Sequence, residues 1–147
     1  MEHLGTVGSI LTRKGARIRS ISPEATVFAA IREMAEHNIG ALLVMEEDQL
    51  IGVISERDYT RKVALHGRSS RDTLVREIMF HPVISVSQDD GIDECMRVMT
   101  ENRIRHLPVL ERGRPMGVVS IGDCVNWIIS TQSAAIQQME SYIRGEY

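Results

Sequence analysis

A chain of 147 residues and 16.5 kDa has the size of one ordinary domain, or of two very small ones sharing a core. Apolar residues at 43% and charged residues at 25% are globular proportions and exclude a disordered chain, and no apolar run nears the ~18 residues of a membrane span. A net charge of −3 and 4% aromatics give no basic stacking surface for nucleic acid and no attraction to an anionic membrane.

The N-terminal run MEHLGTVGSILTRKG has no basic start followed by an apolar stretch and a small-residue cleavage site, so no signal peptide is expected. Next, the chain repeats itself. At an offset of 65 residues, Ile18–Leu65 aligns with Val83–Ser130 without a gap, and 13 of the 48 positions are identical. Each repeat opens with a short β-rich piece, Ile18–Ile21 or Val83–Val86. An apolar helical spacing follows at Val27, Ala30, Ile31 and Met34, and again at Ile92, Cys95, Met96 and Met99. Two apolar strands come next, ALLVM then LIGVIS and HLPVL then PMGVVS, joined by hairpin-length polar segments. A second helix starts after Ser55 or Ser120. The order is β-α-β-β-α twice, with a polar linker at His66–Thr73, which places the repeats at 7–66 and 74–131.

After Trp127 the chain continues in a helical pattern, its C-terminal amphipathic helix bounded at 132–147, in which Ile128, Ala135, Met139 and Tyr142 or Ile143 can share one face. That helix either folds back on its own domain or forms a dimer contact. Cys95 and Cys124 lie in apolar-periodic segments without ligand spacing, read as small buried hydrophobes, which suits a reducing cytoplasm. Fifteen of the 17 basic residues are Arg, leaving only Lys14 and Lys62. The planar guanidinium suits phosphate, although a GC-rich genome produces the same bias.

The most informative residues stand where the last strand of each repeat meets its helix, Gly52-Val-Ile-Ser-Glu-Arg-Asp58 and Gly117-Val-Val-Ser-Ile-Gly-Asp123. Ser-x-x-Asp is a capping box in its own right. The same residues suit a nucleotide. Helix N-terminal amides and the hydroxyl of Ser55 or Ser120 can meet phosphate, and Asp58 or Asp123 can accept from the two hydroxyls of a ribose. Gly52 and Gly117 permit close backbone approach.

These two repeats, each closing on G-h-x-S-x-x-D and carrying IGALLV or IRHLPV, resemble a pair of CBS domains (the cystathionine-β-synthase type, or Bateman module) of the stand-alone bacterial kind. The resemblance spans Val7 to Ser130 and implies an α+β fold, two repeats packed with pseudo-two-fold symmetry and ligand clefts between them. It implies adenosyl ligands, AMP or NAD foremost, with ATP, ADP or S-adenosylmethionine as further choices. Asp58 would hold the ribose in the first cleft and Asp123 the ribose in the second, with Ser55, Arg57 and Ser120 near phosphate. Ile18, Ile21, Ile39, Gly40 and Ala41 would form one adenine slot, and Val83, Ile84, Ile104, His106 and Pro108 the other. Arg103, Arg105 and His106 form a basic group beside the second cleft, where they would be further phosphate contacts. Gly122 stands where the first motif has Arg57, so the clefts should differ.

No HExxH, P-loop or nucleophile pattern appears, so neither an enzyme nor a metal site is expected. The resemblance points to a cytoplasmic, homodimeric regulatory and signal-transduction module that senses an adenine nucleotide and acts on an unidentified protein. The alternative is a ligand-independent structural or interaction module.

Overall fold

The computed structural model describes residues 5–145. Its first half holds α1 (Val7–Lys14), β1 (Ser20–Ile21), α2 (Val27–His37), β2 (Ala41–Glu46), β3 (Gln49–Ser55) and α3 (Glu56–Tyr59). A π-helical turn, Thr60–Ala64, extends α3. The second half holds α4 (Val75–Ile78), β4 (Val86–Ser87), α5 (Ile92–Asn102), β5 (His106–Glu111), β6 (Arg114–Ser120) and α6 (Ile121–Ile143). Two three-stranded sheets result, ordered β1-β2-β3 and β4-β5-β6, with the first pair of each parallel and the second antiparallel.

Local chemistry accounts for these elements. The Thr26 hydroxyl accepts from the Ala29 amide to start α2, and Asp93 and Glu94 favour the N-terminal dipole of α5. Both helices stop on a left-handed residue at equivalent positions, Asn38 at φ 52° and Arg103 at φ 55°. Each hairpin turns on two residues of positive φ, Glu47 and Asp48 or Arg112 and Gly113, which suits a tight right-twisted connection.

The short helices preceding each repeat are exchanged. Val7, Ile10 and Leu11 of α1 are buried with Ile92, Cys95, Met99, Leu107 and Val109 of the second half. Val75 and Ile78 of α4 are buried with Val27, Met34, Leu42 and Ile54 of the first. Backbone bonds fix the exchange, from the Val7 amide to the Asp90 carbonyl at 2.9 Å and from the Val75 amide to the Ala25 carbonyl at 2.9 Å. The motif glycines make room for it. A Cβ on Gly117 would lie 3.0 Å from Leu11 Cδ2, and one on Gly52 would lie 2.7 Å from Met79 Sδ. Their close approach therefore serves the exchanged segments. A third buried group, Ala41, Leu43 and Val53 with Val118 against it, joins the two sheets.

The C-terminal helix differs from the sequence reading in two ways. Residues 132–143 continue α6 without a break from Ile121, so they extend the closing helix of the second repeat. Ile128 packs on the second core while residues 131–140 are exposed throughout, so this stretch does not fold back on the chain.

Candidate functional site

The two repeats leave two clefts between them, each built from both. The larger, about 990 Å³, takes Ile18, Arg19, Asn38, Ile39, Gly40 and Ala41 from the first repeat, and Ser120 and Asp123 from the second. The smaller, about 320 Å³, takes Ile84, Arg103, Ile104 and Arg105 from the second, and Ser55, Arg57 and Asp58 from the first. The motif of one repeat therefore faces the slot of the other. This corrects the pairing in which Asp123 would share a cleft with Ile104 and Pro108. His106 lines both clefts, because β5 starts where they meet.

Three residues expected in the slots line neither cleft. Ile21 sits in β1 opposite Val44 and packs on the first core. Pro108 is buried in β5 opposite Val118, at the depth where the sheets join. Val83 stops short of the cleft that its neighbour Ile84 reaches.

Both capping boxes are formed. Asp58 Oδ2 accepts from the Ser55 amide at 2.9 Å and from the Ser55 hydroxyl at 3.1 Å, and the Asp58 amide donates to Ser55 Oγ at 3.3 Å. Asp123 Oδ2 accepts from the Ser120 amide at 2.9 Å, and the Asp123 amide donates to Ser120 Oγ at 3.1 Å. The first helical amides are also taken, Glu56 by the Gly40 carbonyl and Ile121 by the Arg105 carbonyl. Of the first three amides in each helix, only that of Arg57 or Gly122 has no partner among the described residues. The expected phosphate site at these termini is thus narrower than a free helix end.

The chain's two lysines each meet one of the two aspartates. Lys14 Nζ lies 2.7 Å from Asp123 Oδ2, and Lys62 Nζ lies 3.3 Å from Asp58 Oδ1. Burial raises the Asp123 carboxyl, but Lys14 together with the Ser120 amide and hydroxyl outweighs it, and the group is held below its ordinary range. Its bonds all use Oδ2, leaving Oδ1 for a ligand. Burial likewise pushes the His106 imidazole down, helped by Lys14 and Arg105 and opposed by Asp123. His106 packs on Gly40, where a Cβ would lie 3.1 Å from the ring.

Sequence reasoning missed Lys14, Arg17 and Arg19 in the larger cleft, and Arg61, Lys62 and Phe80 in the smaller. The run Lys14-Gly-Ala-Arg-Ile-Arg19 and the sole two lysines were the available signals. In the smaller cleft, five cations (Arg57, Arg61, Lys62, Arg103 and Arg105) surround one carboxylate. The crowding lowers the Arg57 guanidinium from its ordinary value, first through Arg61, then through burial and Arg105, with Asp58 opposing. Arg103 holds a left-handed backbone there, a conformation that asparagine adopts with less strain. The expected asymmetry is therefore present in charge and in volume.

The CBS domain pattern matches residues 7–65 and again 75–130. Among curated proteins, the CBS domain-containing protein CBSX3, mitochondrial, of Arabidopsis thaliana is 36% identical over 97% of this chain and 73% of its own. A solved protein with CBS domains from Burkholderia ambifaria MC40-6 is 48% identical, with a TM-score of 0.83 over 86% of this chain and 96% of that one. The CBS domain pair of protein MJ0100, solved in complex with 5′-methylthioadenosine and S-adenosyl-L-methionine, shares the fold with a TM-score of 0.75 at 23% identity, covering 86% of this chain and 97% of that one. With two matched repeats, two mixed sheets and clefts shared between them, the chain belongs to the CBS-domain family as a tandem pair.

Proposed function

We propose that the protein is an adenine-nucleotide sensor that binds AMP or NAD, with ATP, ADP or S-adenosylmethionine as further candidates, and transmits occupancy to a separate protein. One observation carries this reading. Each cleft sets a ribose-competent carboxylate from one repeat against an apolar slot from the other, so one ligand bridges both. Asp58 and Asp123 accept from ribose hydroxyls; Ile18 and Ile39, or Ile84 and Ile104, flank the base. The volumes lie within the usual range of small-molecule sites. That a fold neighbour holds two adenosyl ligands supports the same class. We assign the more highly charged phosphate chain to the smaller cleft, where five cations outnumber one carboxylate.

A ligand shifts a conformational equilibrium only through unequal affinity for its states. Contacts to both repeats supply that inequality, because any change in their spacing alters sugar and phosphate contacts together. In this reading the module regulates and does not catalyse, as a homodimer in the cytoplasm. Two buried free cysteines fit a reducing compartment, and no helix among the described residues is long and apolar enough to cross a membrane. A second reading, a ligand-independent interaction module, draws on the capping boxes, which already employ both aspartates.

Calorimetric titration with AMP, ATP and NAD separates the two. The sensor reading expects saturable heat from at least one of them at micromolar to millimolar concentration. Absence of heat from all three and from S-adenosylmethionine, up to millimolar concentration, contradicts it.

A further inference from the structure

We propose that the outer face of α6 is the seam of a parallel two-stranded coiled coil, and that its occupant is α6 of a second copy of this chain. The inference rests on the homodimer of the reading above and stands independently of its ligand.

Along α6, Val125, Ile129, Gln132, Ile136, Met139 and Ile143 follow one another at steps of four, three, four, three and four residues. That is the spacing of a coiled-coil seam, which keeps one stripe facing a partner helix. All five apolar members are exposed, from 41% at Val125 to 79% at Ile143. The core-facing side of the same helix is a different stripe, with Cys124 fully buried and Ile121 and Ile128 packed on the second core. The seam thus begins where α6 is still anchored to the fold and runs on for three more turns. The family match stops at residue 130, so most of the seam lies in an extension beyond the common fold.

Three features select a second copy as the occupant. The five apolar side chains expose on the order of 600 Å² per chain, so pairing two chains buries on the order of 1,200 Å², the lower bound of specific interfaces. An apolar patch of that extent marks an interaction site. The flanks carry no repulsion, since the only charged residues from Val125 to Arg144 are Glu140 and Arg144, which pair within the helix at 3.9 Å. The polar face of Gln, Ser and Thr also lacks the lysines and arginines by which an amphipathic helix grips an anionic bilayer. Gln132 sets the direction. In a parallel, in-register pair it faces its own counterpart, and the two amides hydrogen-bond. In an antiparallel pair of the same overlap it faces Ile136, leaving a buried amide unsatisfied.

Light scattering coupled to size exclusion tests this on the full chain. The wild type is expected at twice the chain mass, and Ile136→Glu with Met139→Glu is expected to halve it while the monomer keeps its helical circular dichroism. Gln132→Cys, oxidised with diamide, is expected to give a covalent dimer, the native cysteines being buried. A monomeric wild type overturns the proposal, and sedimentation of that monomer with phosphatidylglycerol vesicles identifies a lipid face instead. A dimer that survives the double glutamate variant places the interface elsewhere. A dimer that Gln132→Cys fails to cross-link contradicts the parallel register.

Discussion

Asp58 and Asp123 each complete a helix capping box, and the proposed sensor asks a second task, ribose binding, of the same geometry. As the third residue of a capping box, each carboxylate accepts from the backbone amide of its N-cap serine, the reciprocal half of the cap. As a half-buried anion beside a lysine, Asp123 is held below its ordinary range, and the bonds it makes to Lys14 and Ser120 all use Oδ2. His106 is the other residue whose surroundings dictate behaviour. Burial holds it below its ordinary range, with Lys14 and Arg105 adding to the effect and Asp123 opposing. Between its lowered folded value and ~6.5, the unfolded chain binds more protons than the folded one. Stability is therefore complete above pH ~6.5 and falls as the pH drops through that value towards the folded one. Thermal melts from pH 8 to 5 should show this loss in the wild type and a smaller one in His106→Gln; superimposable profiles would contradict it. An anionic phosphate in either cleft opposes the effect, so binding takes up a proton.

At the scale of elements, the exchanged helices decide which parts of the chain fold together. Leu11 belongs to the first repeat in sequence and to the second core in space, where it fills the gap over Gly117. Leu11→Ala should cost about 2–5 kcal/mol, as for other buried leucines. Hydrogen exchange should locate the loss in α5, β5 and β6, whereas a loss confined to α2, β2 and β3 would contradict the exchange. This exchange was illegible in the sequence. The helices α1 and α4 were themselves unexpected, since each repeat reads as opening on its first strand, and the apolar Val7, Ile10 and Leu11 do not say which of two similar aliphatic cores they enter. The offset of 65 residues was sufficient for the repeated order of strands and helices, because polar turns punctuate both copies at equivalent places. The motif residues Ser55, Asp58, Ser120 and Asp123 were legible as candidates for the same reason, and they do line the clefts, while their cross-repeat pairing follows from packing. Pro108 and Ile21 were misplaced because an apolar residue beside a slot and one beneath it read alike. The continuity of α6 was missed at Ser130-Thr-Gln-Ser133, a polar run that ends the repeat in sequence but not the helix.

For the whole molecule, the central claim is that the clefts between the repeats bind nucleotide through their aspartates and that these residues are more than caps. Calorimetry on wild type, Asp58→Ala, Asp123→Ala and Ser120→Ala tests it most directly. The Ser120 variant removes one bond of the same capping box and leaves the carboxylate. The account predicts comparable losses of melting temperature in Ser120→Ala and Asp123→Ala. It also predicts at least a tenfold loss of affinity in the larger cleft for Asp123→Ala, a matching loss in the smaller cleft for Asp58→Ala, and a lesser one for Ser120→Ala. Wild-type affinity in both aspartate variants, with melting temperature alone reduced, would contradict it and leave the two residues as helix caps.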